Sequence, residues 1–445
     1  MKNKNFAKAY IITVDMGYGH QRAVYPLTEL AEGGIINANN YAGIPKKDQR
    51  SWEGGRKVYE KISRLKHLPL IGDLIFNIMD YFQRIEPFYP IRDLSKANVQ
   101  LKTIYSMIKK GWGKDLVEKL SKKPLPVITS FFTVAYFFEE HGYKENIYLI
   151  CCDADVSRAW APLYPEKSKI KYLVPNRRVK NRLKLYGVKE NNIFITGFPL
   201  PKENIGGHEL KILRKSVGER IVHLDPKGLY RKKYKKTIND FLGKEYCKKD
   251  SCAHVLTITF AVGGAGAQRE IGAEILFSLK DKILSGEIKL NLIAGIKNDV
   301  YLYYQNKIKE FGLFGKTNGN IEILYAETKK DYFQKFNKIL LKTDILWTKP
   351  SELSFYAGLG LPIIIAPTFG SQEEFNKEWL ISIGAGVEQQ DPRYVNEWLA
   401  DWLDSGWLAE AAMNGFLNAP HKGAYHMEEV VLKGKRSEIE DIHLL

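Results

Sequence analysis

The chain has 445 residues, enough for two or three domains of ordinary size. Its 44% hydrophobic and 27% charged residues are those of a globular protein, and four cysteines in this length exclude a disulfide scaffold and fit a reducing cytosol. A formal net charge of +16 is unusual; it points to nucleic acid, an anionic membrane surface or phosphorylated substrates, or to no more than a basic solvated surface.

In chain order, Ala9 to Val14 is too short and too soon ended by Asp15 to be a signal peptide, so Tyr10 to Val14 predicts a first strand. Asp15-Met16-Gly17-Tyr18-Gly19-His20 is a glycine turn, and Gln21 onward predicts a helix carrying Ala23, Val24, Leu27 and Leu30. Gly17 and Gly19 allow close backbone approach. Residues 45–125 read as an insertion. In it Leu74, Ile75, Ile78, Met79 and Phe82 fall at helical spacing, flanked by Lys61, Arg64, Lys66 and Arg84. That pattern suits a core-facing helix, and equally an interfacial helix with its bases near lipid headgroups. Leu125–Thr129, Ile147–Cys151, Tyr172–Val174 and Ile193–Thr196 then predict short strands, with helices over Val134–Glu140 and Arg177–Tyr186. The repeated order predicts a parallel α/β sheet. No transmembrane stretch is evident.

Residues 201–254 are Lys-rich, include the run Arg231-Lys232-Lys233-Tyr234-Lys235-Lys236, and read as a connection with some helix. Cys247, Cys252 and His254 lie close together, but no fourth metal ligand is evident and a loop is expected. A second α/β half opens with the strand Val255–Val262, the turn Gly263-Gly264-Ala265-Gly266-Ala267-Gln268 and a helix carrying Ile271, Ile275, Leu276, Leu279 and Ile283. Strand, glycine turn and helix N-terminus form an anion cradle, while the glycine spacing does not support a dinucleotide site. Leu290–Ala294 and Ile321–Leu324 predict further strands. Next come the strand Ile345–Trp347 and the turn Thr348-Lys349-Pro350-Ser351-Glu352, with Pro350 suited to a first helical turn and Gly360 to a helix end. Ile363–Ala366 predicts a strand buried on both faces, and Gly370-Ser371-Gln372-Glu373…Asn376 a second polar turn. Both turns open on one edge of a parallel sheet, where ligands bind. The tail, with Trp398, Trp402 and Trp407, predicts helix.

Thr348-Lys349-Pro350-Ser351, Gly360-Leu361-Pro362 and Gly370-Ser371-Gln372-Glu373…Asn376 resemble the donor-binding segment of GT-B glycosyltransferases, in particular the group holding monogalactosyldiacylglycerol synthase, processive diacylglycerol glycosyltransferases and the peptidoglycan N-acetylglucosaminyltransferase. Gly17-Tyr18-Gly19-His20 resembles the Gly-x-Gly-His of that group, Gly197-Phe198-Pro199 its Gly-x-Pro, and Gly384-Ala385-Gly386 its Gly-Ala-Gly. The glycine turn at 263–268 is similar to the loop that opens the donor domain of the peptidoglycan enzyme.

The resemblance implies a GT-B fold, two Rossmann-like parallel-sheet domains facing a central cleft. The acceptor-side domain would be residues 1–200 with the insertion, followed by the basic connection 201–254, a nucleotide-sugar domain at 255–420 and a tail at 421–445. It implies transfer of a sugar from a nucleotide-diphosphate donor, a UDP-sugar, to a lipid or lipid-linked acceptor. The enzyme would be cytoplasmic and peripheral on the inner membrane face, on an anionic surface, with no nucleic-acid partner, no cofactor and no catalytic metal.

Donor contacts are expected at Gly263, Gly264, Gly266, Gln268, Lys349, Ser351, Glu352, Gln372, Glu373 and Asn376, and an acceptor-side loop at Gly17 and Gly19. His20 and Asp153 are the candidate bases; a turn-stabilising histidine and a helix cap are their structural alternatives. Asp153-Ala154-Asp155 also makes an Asp-x-Asp pattern of the kind that holds a metal in GT-A enzymes. Two departures from the family stand out. Phe355 occupies the place of a glutamate that meets the ribose, and Ser351-Glu352 replaces a glycine-rich turn. A nucleotide-sugar 2-epimerase of the same architecture and a catalytically silent binder of nucleotide sugars or membranes remain alternatives.

Overall fold

A computed structural model describes residues 8–54, 84–246, 254–261, 266, 268–368 and 370–434. The chain divides into two compact units. One comprises residues 1–199, 369–375 and 422–445, the other residues 200–368 and 376–421. Each contains one six-stranded sheet among the described residues, and every strand pairing is parallel.

In the first unit the strands are β1 (Ala9–Thr13), β2 (Ala31–Asn37), β3 (Val127–Thr129), β4 (Ile147–Ile150), β5 (Lys171–Val174) and β6 (Ile193–Ile195), in the order β2-β1-β3-β4-β5-β6. Burial follows this order. β1, β3 and β4 are buried at every position, whereas the edge strand β2, with Gly33 and Gly34, is nowhere buried. Helices cover both faces of such a sheet, so inner strands read as unbroken apolar runs.

β2 is not signalled by the sequence, since its two glycines weaken any strand pattern. The helix expected from Gln21 through Leu30 is instead α1 (Gly19–Val24) followed by a 3-10 turn over Tyr25–Leu30. Pro26 has no N–H to continue the α-helical ladder, which ends the first segment there. The described part of the insertion is core material: Trp52, Leu101, Tyr105, Ile108, Trp112, Leu116 and Val117 pack with the helix Phe132–Glu140 in one cluster. The apolar stretch Leu74–Phe82 and the bases Lys61, Arg64 and Lys66 lie outside the described residues. The C-terminal helix Gly423–Lys433 belongs to this unit: a Cβ at Gly423 would strike the Phe198 carbonyl, and His426 Nδ1 lies 3.0 Å from the Thr196 carbonyl oxygen.

The second unit has β7 (Leu256–Ala261), β8 (Ile288–Gly295), β9 (Ile321–Tyr325), β10 (Ile345–Thr348), β11 (Ile363–Ile365) and β12 (Gly386–Glu388), in the order β12-β11-β10-β7-β8-β9. Ile363–Ile365 is buried throughout, as its β-branched run predicts.

Among the described residues, the basic segment after residue 200 forms four helices, of which Lys211–Leu224 buries Leu213, Val217 and Ile221. That helix also carries Arg220. The guanidinium donates from Nε to the Thr343 carbonyl at 2.8 Å, and from Nη1 to the carbonyls of Leu359 at 2.8 Å and Gly360 at 3.0 Å. It therefore satisfies the carbonyls left open where the 3-10 helix Glu352–Leu359 ends. Burial lowers the pKa of this group to about 10, which leaves it charged at neutral pH. Gly360 closes the same turn at φ +65, and a Cβ there would meet Val217.

Candidate functional site

In the first unit the chain leaves β1 for β2 on one side and returns to β3 on the other. The loops after β1 and β3 thus part at the carboxyl edge, the place where open parallel sheets bind ligands. Gly17 turns the first loop with φ +87, and Gly19 begins α1.

His20, half-buried, meets the second loop at Ser130, which is fully buried. His20 Nδ1 lies 2.8 Å from the Ser130 carbonyl oxygen, and Ser130 Oγ donates back to the His20 carbonyl at 2.7 Å. The single hydroxyl proton of Ser130 is thereby used, so Thr13 Oγ1 donates to Ser130 Oγ at 3.2 Å. A carbonyl only accepts, so Nδ1 carries the ring proton. In the neutral imidazole Nε2 is then the lone-pair nitrogen, the form a general base needs. Phe131 packs edge-on against the ring, 4.9 Å between centroids.

Cys152 Sγ lies 4.0 Å from His20 Nδ1, and half-buried Asp153 follows it. The charge of Asp153 adds to burial, the larger cause, in pushing the Cys151 thiol well up. Asp155 is committed elsewhere. Its carboxylate takes Arg182 Nε at 2.9 Å and Nη2 at 2.8 Å, Arg178 Nε at 2.9 Å and the Val156 N–H at 2.9 Å. The Asp-x-Asp pattern is therefore split between a residue at the sheet edge and a buried ion-pair partner.

In the second unit the equivalent parting lies between β7 and β10. Gly263 and Gly264 fall outside the described residues. Gly266 and Gln268 close the loop after β7, both with positive φ, +70 and +68. Gln268 Nε2 donates to the Pro367 carbonyl at 2.8 Å and so ties this loop to the one after β11. After β10, the Ser351 N–H folds back on the Lys349 carbonyl at 2.9 Å, and no side chain caps the 3-10 helix that starts at Glu352. Lys349, Ser351 and Glu352 are each half-buried around that helix start. Asn376, fully buried, donates from Nδ2 to the Pro350 carbonyl at 3.2 Å. Gln372 and Glu373 lie in the first turn of the helix Ser371–Ser382.

Of the expected positions, the first unit brings His20, Gly17, Gly19 and Asp153 to one carboxyl edge. The second brings Gly266, Gln268, Lys349, Ser351, Glu352 and Asn376 to its own. Phe355 is 3% exposed, with its ring 5.0 Å from that of Trp379, so this position offers no polar group. Sequence reasoning missed Ser130 and Thr13. Their only signal is a polar residue closing a short apolar strand, which is common to most strand ends.

A family model described as "Domain of unknown function (DUF6938)" matches residues 244–431. No curated protein matches the chain. Similar solved structures include the S. aureus MnaA-UDP co-structure, with 11% identity over 96% of each chain and a TM-score of 0.46. MurG from Acinetobacter baumannii gives 14% identity over 96% of this chain and 99% of that one, with a TM-score of 0.44. UDP-GlcNAc 2-epimerase from Neisseria meningitidis bound to UDP-GlcNAc gives 12% identity over 81% and 88%, with a TM-score of 0.43.

Proposed function

We propose that the chain is a GT-B glycosyltransferase that moves a sugar from a nucleotide-diphosphate donor, a UDP-sugar, to a lipid or lipid-linked acceptor at the membrane surface. The observation that carries this reading is the 2.8 Å approach of His20 Nδ1 to the Ser130 carbonyl oxygen. A proton on Nδ1 makes Nε2 the basic nitrogen of the neutral ring, at the carboxyl edge of a parallel sheet. Two motif-bearing turns at the corresponding edge of the second sheet support it: the loop ending at Gln268, and Lys349-Pro350-Ser351.

In this reading the donor diphosphate lies over the loops after β7 and β10. The backbone N–H groups of those loops and the Lys349 ammonium take up the charge that grows on the leaving group. Glu373, already in a first helical turn, suits sugar hydroxyls better than a phosphate, because its carboxylate answers the positive helix end. His20 Nε2 takes the acceptor hydroxyl proton, with Asp153 in the loop after β4 at the same edge. The acceptor's lipid nature rests on the family resemblance and on the basic character of the chain.

Phe355 favours a second reading, binding without transfer. A buried phenyl ring stands where the resembled family grips the ribose, so that grip falls to other groups such as Glu352. A thermal-shift panel of nucleotide sugars tests both readings. Stabilisation by a UDP-sugar, followed by release of UDP on adding lipid extract, supports transfer. Stabilisation with no release supports the binder. No stabilisation by any nucleotide sugar overturns both.

A further inference from the structure

At the opposite, amino-terminal edge of the second sheet, three side chains from separate parts of the chain converge. Asp344 directly precedes β10, His254 stands two residues before β7, and His223 is in the last turn of the helix Lys211–Leu224. The Asp344 side chain is 1% exposed, those of His223 and His254 12% and 13%. His223 Nδ1 lies 3.0 Å from Asp344 Oδ1, and His254 Nε2 lies 3.3 Å from Asp344 Oδ2. The Thr257 N–H donates to Oδ2 at 2.8 Å and fixes the carboxylate plane. The two imidazoles meet edge to face, 4.5 Å between centroids. His254 Nε2 is shielded from solvent, yet among the described residues it makes no hydrogen bond; its approach to Oδ2 lacks the angle for one.

We propose that His223, His254 and Asp344 bind a divalent transition metal, zinc by the character of the donors, with a water in the fourth position, and that the ion braces the fold. Two imidazoles and a carboxylate are a zinc donor set, and bonds of about 2.0–2.2 Å in a tetrahedron put neighbouring ligand atoms about 3.3 Å apart. Each imidazole nitrogen lies 3.0–3.3 Å from one of the two Asp344 oxygens, and one ligand atom from each of the three residues falls within 4.8 Å of the others, close enough to be drawn onto one ion. A cation at their centre gives the buried Nε2 of His254 the partner it otherwise lacks. Without it, that nitrogen has the 3.3 Å approach to Oδ2, a weak contact for a shielded polar atom.

The cluster sits at the end of β7 and β10 remote from the loops that carry the candidate donor contacts. A metal here therefore cross-links the helix to two central strands and takes no part in transfer. Binding displaces protons from the imidazoles, so occupancy falls in acid.

The experiment is elemental analysis of the untagged full-length chain, as purified and after reloading with zinc and dialysis. About one equivalent of zinc per chain is expected, with a fall in melting temperature on chelation. Cobalt loading should give the strong visible bands of a four-coordinate site. His254→Gln, which keeps an amide able to hydrogen-bond, should lower bound zinc about tenfold or more. Less than about a tenth of an equivalent in the reloaded parent protein overturns the proposal, as does full zinc content in a folded His254→Gln chain. If that variant does not fold, the parent's metal content and cobalt spectrum decide the matter alone.

Discussion

His20 and Ser130 hold each other by two hydrogen bonds of opposite sense, side chain to carbonyl each way, across 110 residues of sequence. The pairing sets the ring's orientation and its tautomer together. On the proposed reading, replacing His20 with alanine removes the proton acceptor while the candidate donor loops keep their sequence. Turnover should fall about 10²–10⁴-fold. Nucleotide-sugar affinity, measured by calorimetry, should not change. Full turnover in His20→Ala would show that another group is the base.

Ser130→Ala separates positioning from chemistry. The variant keeps the carbonyl that receives Nδ1 and loses the hydroxyl that bonds the His20 carbonyl and Thr13. Stability should drop by about 1–2 kcal/mol in urea unfolding. The rate should fall less than in His20→Ala. An equal loss of rate would mean that the hydroxyl itself takes part in the reaction.

Asn376 joins the helix Ser371–Ser382 to the Lys349-Pro350 turn through a fully buried amide. Asn376→Leu fills the space but leaves the Pro350 carbonyl without its donor. A cost of about 1–3 kcal/mol is expected in denaturant titrations. Donor affinity should weaken with it, since the turn loses its tether. Unaltered donor binding in a destabilised Asn376→Leu chain would confine this residue to the scaffold.

Phe355→Glu restores the residue type of the resembled family and should still fail to improve binding. The side chain is packed against Trp379, so a carboxylate there is buried without a partner. Phe355→Ala should cost about 3–5 kcal/mol by the cavity it leaves. A Phe355→Glu protein as stable as the parent, with tighter UDP-sugar binding, would show that the pocket can open to receive the ribose.

Glu139 gives the first unit a pH dependence that can be isolated. Burial is the largest influence on it and raises its pKa above the usual 4.5, against bonds from the Lys169 N–H and Ser168 Oγ. The folded state then holds this proton more tightly than the unfolded chain. Between the unfolded value and the raised folded value, stability from this group declines as pH rises, and above the folded value it is fully lost. Glu139→Gln should be flat through that window while the parent falls. Parallel stability curves for the two proteins would refute the assignment.

Most strands were legible because each is a local apolar run: Ile363–Ile365, Ile147–Ile150 and Leu256–Ala261 lie where their residues place them. Turns were legible for the same reason, since Gly17 and Gly360 act on their own backbone; Pro350, expected in a first helical turn, instead precedes Ser351, the N-cap of the 3-10 helix that starts at Glu352. β2 was not, because its pairing with β1 outweighs the weak preference of a segment holding Gly33 and Gly34.

The sequence alone determined two parallel α/β halves and the residues that line their turns. Tertiary structure decided what those residues can do: that Ser130 orients His20, that Arg220 takes the carbonyls left open at the Gly360 turn, that Phe355 is core, and that His223, His254 and Asp344 meet. Periodicity and turn chemistry act between residues a few positions apart. These decisive contacts join segments separated by tens to more than a hundred residues, and only the closed fold brings them within bonding distance.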